Sequence, residues 1–89
     1  NMFSQFPYQL LNMPNLKELY LGSNKMSVLP RNYEMLQKLE ILYLGGNNIL
    51  RVPEELCQLK NLTSLNLSNN KINFLPNNLA KLKKLKNLA

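Results

Sequence analysis

The pattern LxxLxLxxNxIxxLPxxLxxLxx occurs three times in this chain, over 16–38, 39–61 and 62–84, each copy starting where the last one stops. Leu16, Leu39 and Leu62 open the copies. Asn24, Asn47 and Asn70 share one position within them, and Pro30, Pro53 and Pro76 share another, six residues further on. A fixed period in the twenties makes a solenoid, because a unit this short cannot bury its apolar side alone and must stack on its neighbours. Such a fold offers an extended surface rather than a pocket.

The first half of each copy alternates apolar and polar side chains, the two-residue period of a strand. Leu19 and Leu21, Leu42 and Leu44, and Leu65 and Leu67 point inward in this reading, and stacking places the strands in a parallel sheet about 4.8 Å apart. Each copy has seven apolar slots, from Leu16 to Leu36, from Leu39 to Leu59 and from Leu62 to Leu82, and none holds a charge. Each proline fixes its own φ and extends the residue before it, so it marks the start of the return segment. In the second copy that segment, Glu54 to Lys60, reads as a short helix with acid at its start and base at its end. Parallel strands joined in this way coil right-handed. The asparagines fall where the chain leaves the strand. An amide carries donors and an acceptor, so a stacked column of Asn1, Asn24, Asn47 and Asn70 can satisfy backbone groups inside the core without burying charge.

The ends fit the same frame. Asn1, Phe3, Phe6, Pro7, Leu10 and Met13 occupy positions of a preceding repeat, and Leu85 and Leu88 open a further one. The expected organisation is a single segment over 1–89, with a partial repeat at 1–15, full repeats at 16–38, 39–61 and 62–84, and the start of another at 85–89. That reads as a piece of a longer array whose uncapped ends meet water.

Catalysis is excluded by residue type. The chain has no histidine, and all five of its acidic residues are glutamates. Histidine-based acid–base work, Ser-His-Asp triads and histidine zinc sites therefore have no components. Adjacent Glu54 and Glu55 diverge on a turn, and Gly22, Gly45 and Gly46 precede no Gly-Lys-Ser/Thr phosphate loop. No enzyme activity, cofactor or metal is expected. Cys57 has no partner for an internal disulfide, which favours a reducing compartment. No apolar run approaches the ~18 residues of a membrane span. The net charge of +6 is local, because Lys81, Lys83, Lys84 and Lys86 crowd the last positions. No aromatic is interleaved with them, which argues against nucleic acid. Leu79, Leu82, Leu85 and Leu88 among those lysines are core slots rather than a membrane-surface helix.

The whole chain resembles the leucine-rich repeat family. The 23-residue length and the LPxxLxxL second half are similar to the intracellular Ras-group type found in Scribble, Erbin and the Ras suppressor protein. The resemblance implies an α/β fold: a right-handed leucine-rich-repeat solenoid with parallel strands on the concave face and short helices or turns on the convex face. It also implies a cytoplasmic adaptor for other proteins. Two departures stand out: Tyr33, where the family has Leu or Ile, and Gly45-Gly46, which leaves the strand floor bare.

On that strand face the outward residues include Tyr20 and Tyr43 at equivalent positions, so their rings belong on neighbouring strands. Ile41 joins them, and the glycines beside Tyr43 offer another chain close approach. Tyr20, Ile41 and Tyr43 are thus expected as partner-binding anchors, with Lys17, Glu18 and Asn66 giving orientation. Lys17 and Glu40 are expected to pair across repeats. The expected partner is another protein of unspecified identity, not a small molecule, nucleic acid or membrane. Three alternatives stay open: a tyrosine ladder that only packs on itself, spacer repeats within a larger assembly, and part of an extracellular receptor ectodomain. Lys71-Ile72-Asn73-Phe74 matches a phosphatase-docking motif, but Ile72 is a core slot. The sequons at Asn61 and Asn66 are within chance for this many asparagines.

Overall fold

Three residues per copy suffice for a strand when only the middle one must be buried. In the computed structural model, which describes residues 4–89, these strands are β1 (Glu18–Tyr20), β2 (Ile41–Tyr43), β3 (Ser64–Asn66) and β4 (Asn87–Leu88). They form one parallel sheet in chain order, with Leu19 opposite Leu42, Leu42 opposite Leu65, and Leu65 opposite Leu88. A register offset equal to the sequence period places each apolar slot above its counterpart, as a stacked solenoid requires. Asn1 and Phe3, read above as part of a preceding repeat, lie outside the described residues.

The return segments are tighter than α-helices. Tyr8–Asn12, Glu54–Gln58 and Asn77–Lys81 are 3-10 helices, each directly after a proline. Five residues are too few for α-helical bonds to accumulate, and i→i+3 bonds close the turn sooner. The second-copy helix opens on Glu54 and Glu55 but has no basic residue in its last turn, because Lys60 falls beyond its end. The first copy makes the same i→i+3 bonds through turns, with Leu36 N–H donating to Tyr33 O at 3.0 Å and Leu39 N–H to Leu36 O at 3.3 Å.

Between sheet and return segments lies one continuous core. It runs from Phe6 through Met26, Leu42, Ile49, Leu56 and Leu65 to Leu79 and Leu82. Tyr33 takes its leucine slot with the ring fully enclosed, 1% exposed. The third copy is less covered than its pattern suggests. Ile72 is only partly buried and Leu75, expected in the core, is 50% exposed. The equivalent Leu29 and Val52 are buried beneath the copy that stacks on each, whereas residues 85–89 do not reach over Leu75.

The asparagine column lines the turn off the sheet. Asn47 Nδ2 donates to Leu44 O at 2.9 Å in its own copy and to Leu21 O at 3.1 Å in the copy before, while its Oδ1 accepts from Met26 N–H at 3.2 Å. Asn70 repeats the arrangement one copy on, bonding Leu67 O, Leu44 O and Ile49 N–H, each at 3.0 Å. Asn24 Nδ2 donates to Leu21 O at 2.8 Å and Gly22 O at 3.1 Å. Asn1 is outside the described residues. The residue before each of these three asparagines has a left-handed backbone: Ser23 at φ 59°, Gly46 at 73° and Asn69 at 56°. Asparagine and glycine tolerate that region and serine less so, which makes this turn a repeated source of mild strain.

Candidate functional site

The outward side of the sheet carries two columns of side chains. Glu18, Ile41, Ser64 and Asn87 form one, and Tyr20, Tyr43 and Asn66 the other. The Tyr20 and Tyr43 rings lie 6.3 Å apart between centroids, tilted by 37°. They are 60% and 38% exposed, so the pair packs on itself and still offers apolar surface to solvent. Tyr20 Oη–H donates to Glu18 Oε1 at 3.3 Å, which ties two of the expected site residues together. Ile41 is half-buried beside them. Asn66 Oδ1 accepts from Ser68 N–H at 3.0 Å and Ser68 Oγ–H at 2.7 Å, so its acceptor is turned onto its own loop and only its NH₂ remains to face outward.

Two expectations need correction. Of the two glycines read as bare floor, Gly45 is not open to another chain, because the Tyr43 ring lies against it, while Gly46 faces Ser23. A Cβ built on Gly22 would run into Tyr43 Cε2 and come within 2.8 Å of Cδ2, and one on Gly45 would meet Tyr43 Oη at 3.1 Å. The ring folds onto the nearest surface that lacks side chains. Lys17 and Glu40 are neighbours but form no ion pair; among the described residues the ion pair is Arg31–Glu55, at 3.5 Å. An exposed lysine with no packing to hold it gains little from one carboxylate in water.

Lys17, Lys38 and Lys84 lie at the upstream ends of the strands. With Glu40, Asn61 and Thr63 they line a depression of about 450 Å³. Lys38 Nζ donates to Asn15 Oδ1 at 3.1 Å and Lys84 Nζ to Asn61 Oδ1 at 2.8 Å. The Asn61 amide also donates to Gln37 O, and the middle residue of its sequon, Leu62, is fully buried. That side chain is structural.

Past the asparagine turn, beyond the downstream ends of the strands, lies a surface that the sequence does not mark. Val28, Arg51 and Phe74 stack at one repeat position, and with Leu50 and Pro53 they border a groove of about 460 Å³. The Arg51 guanidinium sits 4.8 Å over the Phe74 ring. Ile72 and Phe74 of the docking-motif match therefore already have intramolecular neighbours. Because residue type changes from copy to copy at this position, no period in the sequence marks the column.

Polar chemistry elsewhere is inert. Tyr33 Oη and Glu55 Oε1 are buried without hydrogen-bond partners. Burial first, then the Glu55 and Tyr8 charges, pushes the Tyr33 phenol far above its ordinary range. Burial, then Glu54, also raises the half-buried Cys57 thiol, which disfavours the reactive thiolate. Among the described residues no three His, Cys, Asp or Glu side chains gather where they could hold a metal, and no helix is long and apolar enough to cross a membrane.

Comparison with known proteins bears on the same geometry. A family model described as Leucine rich repeat matches residues 37–89, and another, Leucine Rich repeats (2 copies), matches 14–58. Among solved structures, a leucine-rich repeat protein of Leptospira interrogans superposes with a TM-score of 0.65 at 36% identity. The match covers 99% of this chain and 28% of that one, so the chain spans under a third of the relative's length. No sequence among curated proteins matches this one.

Proposed function

We propose, from the premise that this chain belongs to the leucine-rich repeat family, that it binds another protein along its strand face, with Tyr20, Ile41 and Tyr43 as anchors. Domains of this family generally mediate protein–protein interaction and are typically scaffolds without enzymatic activity. The observation that supports this site is the tyrosine pair. Two rings 6.3 Å apart stay substantially exposed although the core lies directly beneath the sheet. Preordered aromatic surface of this kind costs little entropy to use in binding. Because Tyr43 covers Gly22 and abuts Gly45, the partner meets the ring itself and not the backbone. Glu18 is engaged by Tyr20, which leaves Lys17 and the Asn66 amide nitrogen as the orienting groups. Adaptor work in the cytoplasm, as in the Ras-group type, fits the free Cys57.

The test is affinity capture with wild-type protein beside a Tyr20→Ala, Ile41→Ala, Tyr43→Ala variant, with folding of both confirmed by circular dichroism. Each captured protein is then purified and titrated directly. Loss of about tenfold or more in affinity is expected for two or three truncated anchors. Equal affinity for both proteins would move the function to another surface or to a spacer role.

A further inference from the structure

The lysine depression at the upstream ends of the strands lies outside the anchors just assigned, and it extends them. We propose that it receives an anionic group of the same bound segment, adjacent carboxylates or a phosphoryl group, while the segment's apolar side chain rests on Tyr20 and Tyr43. This rests on the strand-face reading and specifies the chemistry of the partner.

Several observations carry it. Lys17, Lys38 and Lys84 come from the start of the first copy, its end and the end of the third, yet they line one depression of about 450 Å³. Glu40 is the one acid among the lining residues, so positive charge is in excess there. Two of the ammonium groups are held by neutral oxygens, Lys38 by Asn15 and Lys84 by Asn61. An ammonium has three donors, so each is positioned by one and keeps others for an incoming anion. The remaining polar neighbours are turned inward: Thr63 Oγ–H donates to Glu40 O at 3.0 Å, and the Asn61 amide to Gln37 O. Finally, Lys17 stands three residues before Tyr20 on the same extended chain, about 10 Å along it. Residues three apart on an extended chain face opposite ways, so a bound segment of three or four extended residues covers the distance only by turning over the strand starts at Glu18 and Ile41. No aromatic lines the depression to stack a base, which favours a protein segment over a nucleic acid.

The experiment uses the full chain and labelled peptides read by fluorescence anisotropy: Glu-Glu-Glu-Gly-Gly-Gly-Gly, Glu-Glu-Glu-Gly-Gly-Phe-Leu, and the second with phosphoserine in place of the glutamates. Anionic phosphatidylserine vesicles and oligothymidine serve as competing arms. The variants are Lys38→Gln/Lys84→Gln, the charge-matched control Lys81→Gln/Lys83→Gln, and Tyr20→Ala/Tyr43→Ala. All four lysines are exposed, so the fold tolerates the changes. The acidic peptides should lose about fivefold or more in affinity for Lys38→Gln/Lys84→Gln, and less than about twofold for the control. Phosphoserine binding tighter than glutamate assigns the anion as phosphoryl; the reverse assigns carboxylates. No acidic-peptide binding, equal losses in both lysine pairs, or tighter binding of vesicles or oligothymidine would overturn the proposal. The Phe-Leu extension separates it from the strand-face reading. A gain in wild type that vanishes in Tyr20→Ala/Tyr43→Ala supports both, and no gain with the lysine effect intact sinks the tyrosine site alone.

Discussion

Replacing Asn47 by alanine removes three hydrogen bonds, but their losses are unequal. Leu21 O keeps the Asn24 amide at 2.8 Å, and Leu44 O keeps the Asn70 amide at 3.0 Å. The Met26 N–H, held by Asn47 Oδ1 at 3.2 Å, has no second acceptor among the described residues. A buried donor left unsatisfied costs about 1–3 kcal/mol, and two carbonyls each losing one of two donors bring the total to about 3 kcal/mol. That is a large share of the roughly 4–13 kcal/mol expected for a domain this size. Urea unfolding followed by circular dichroism reads the total, and amide hydrogen exchange locates it. Protection at Met26 should collapse while Ile49, held by Asn70 Oδ1 at 3.0 Å, keeps the protection that global stability allows. Asn47→Asp separates acceptor from donors: it retains an oxygen for Met26 N–H but sets a carboxylate against two carbonyls. Its Met26 amide should stay protected although the protein is destabilised. A stability loss under about 1 kcal/mol in Asn47→Ala, with Met26 protected as in wild type, would refute this account of the column.

Tyr33→Phe removes a buried hydroxyl that has no partner, so stability should rise by about 1 kcal/mol in urea unfolding. The folded Tyr33 phenol ionises only far above its unfolded value of about 10, so stability is kept below that pH and lost as pH rises past it. The loss should be shallower in Tyr33→Phe. Gly46→Ala faces ordinary contacts but a left-handed φ of 73°, and should cost about 1 kcal/mol by thermal melting. Gly22→Ala has no such backbone constraint yet must displace the Tyr43 ring; it should change the Tyr43 ring resonances in NMR, which Gly46→Ala should not.

Strand positions and their register were legible because one spacing governs both. If Leu19 and Leu42 hold equivalent slots, stacking leaves them no other pairing. The asparagine role was legible for a related reason: a buried amide at a turn must find backbone partners, and the nearest belong to the adjoining copy. Where exposed side chains lie is decided differently. Tyr43 settles over Gly22 because the glycine leaves space, and the letters alone do not say whether a partner or a neighbour fills it. Lys17 and Glu40 are adjacent but nothing packs their stems into one geometry. Leu75 obeys the pattern and is exposed because burial depends on what stacks above a slot, not on the slot itself. The depression and the Val28–Arg51–Phe74 column mix residue types, so only the fold brings them together.

The asparagine column also gives the molecule a direction. Asn47 and Asn70 each reach back to the backbone of the preceding copy, as do Asn61 to Gln37 O and Thr63 to Glu40 O, and Gln58 Oε1 takes the Tyr33 N–H at 3.4 Å. Among the described residues, no side chain of an earlier copy bonds the backbone of a later one. The backbone bonds between copies run both ways, with Leu21 and Leu44 N–H donating to the copy after and Glu40, Thr63 and Lys86 N–H to the copy before, so the direction lies in the side chains alone. Loss of the following copy leaves Met26 or Ile49 N–H without its amide acceptor, whereas loss of the preceding copy still leaves Asn47 and Asn70 bonded to Leu44 O and Leu67 O of their own copies. Under partial denaturation the Met26 and Ile49 amides should therefore report which neighbour has gone, exchanging early when the copy after them frays.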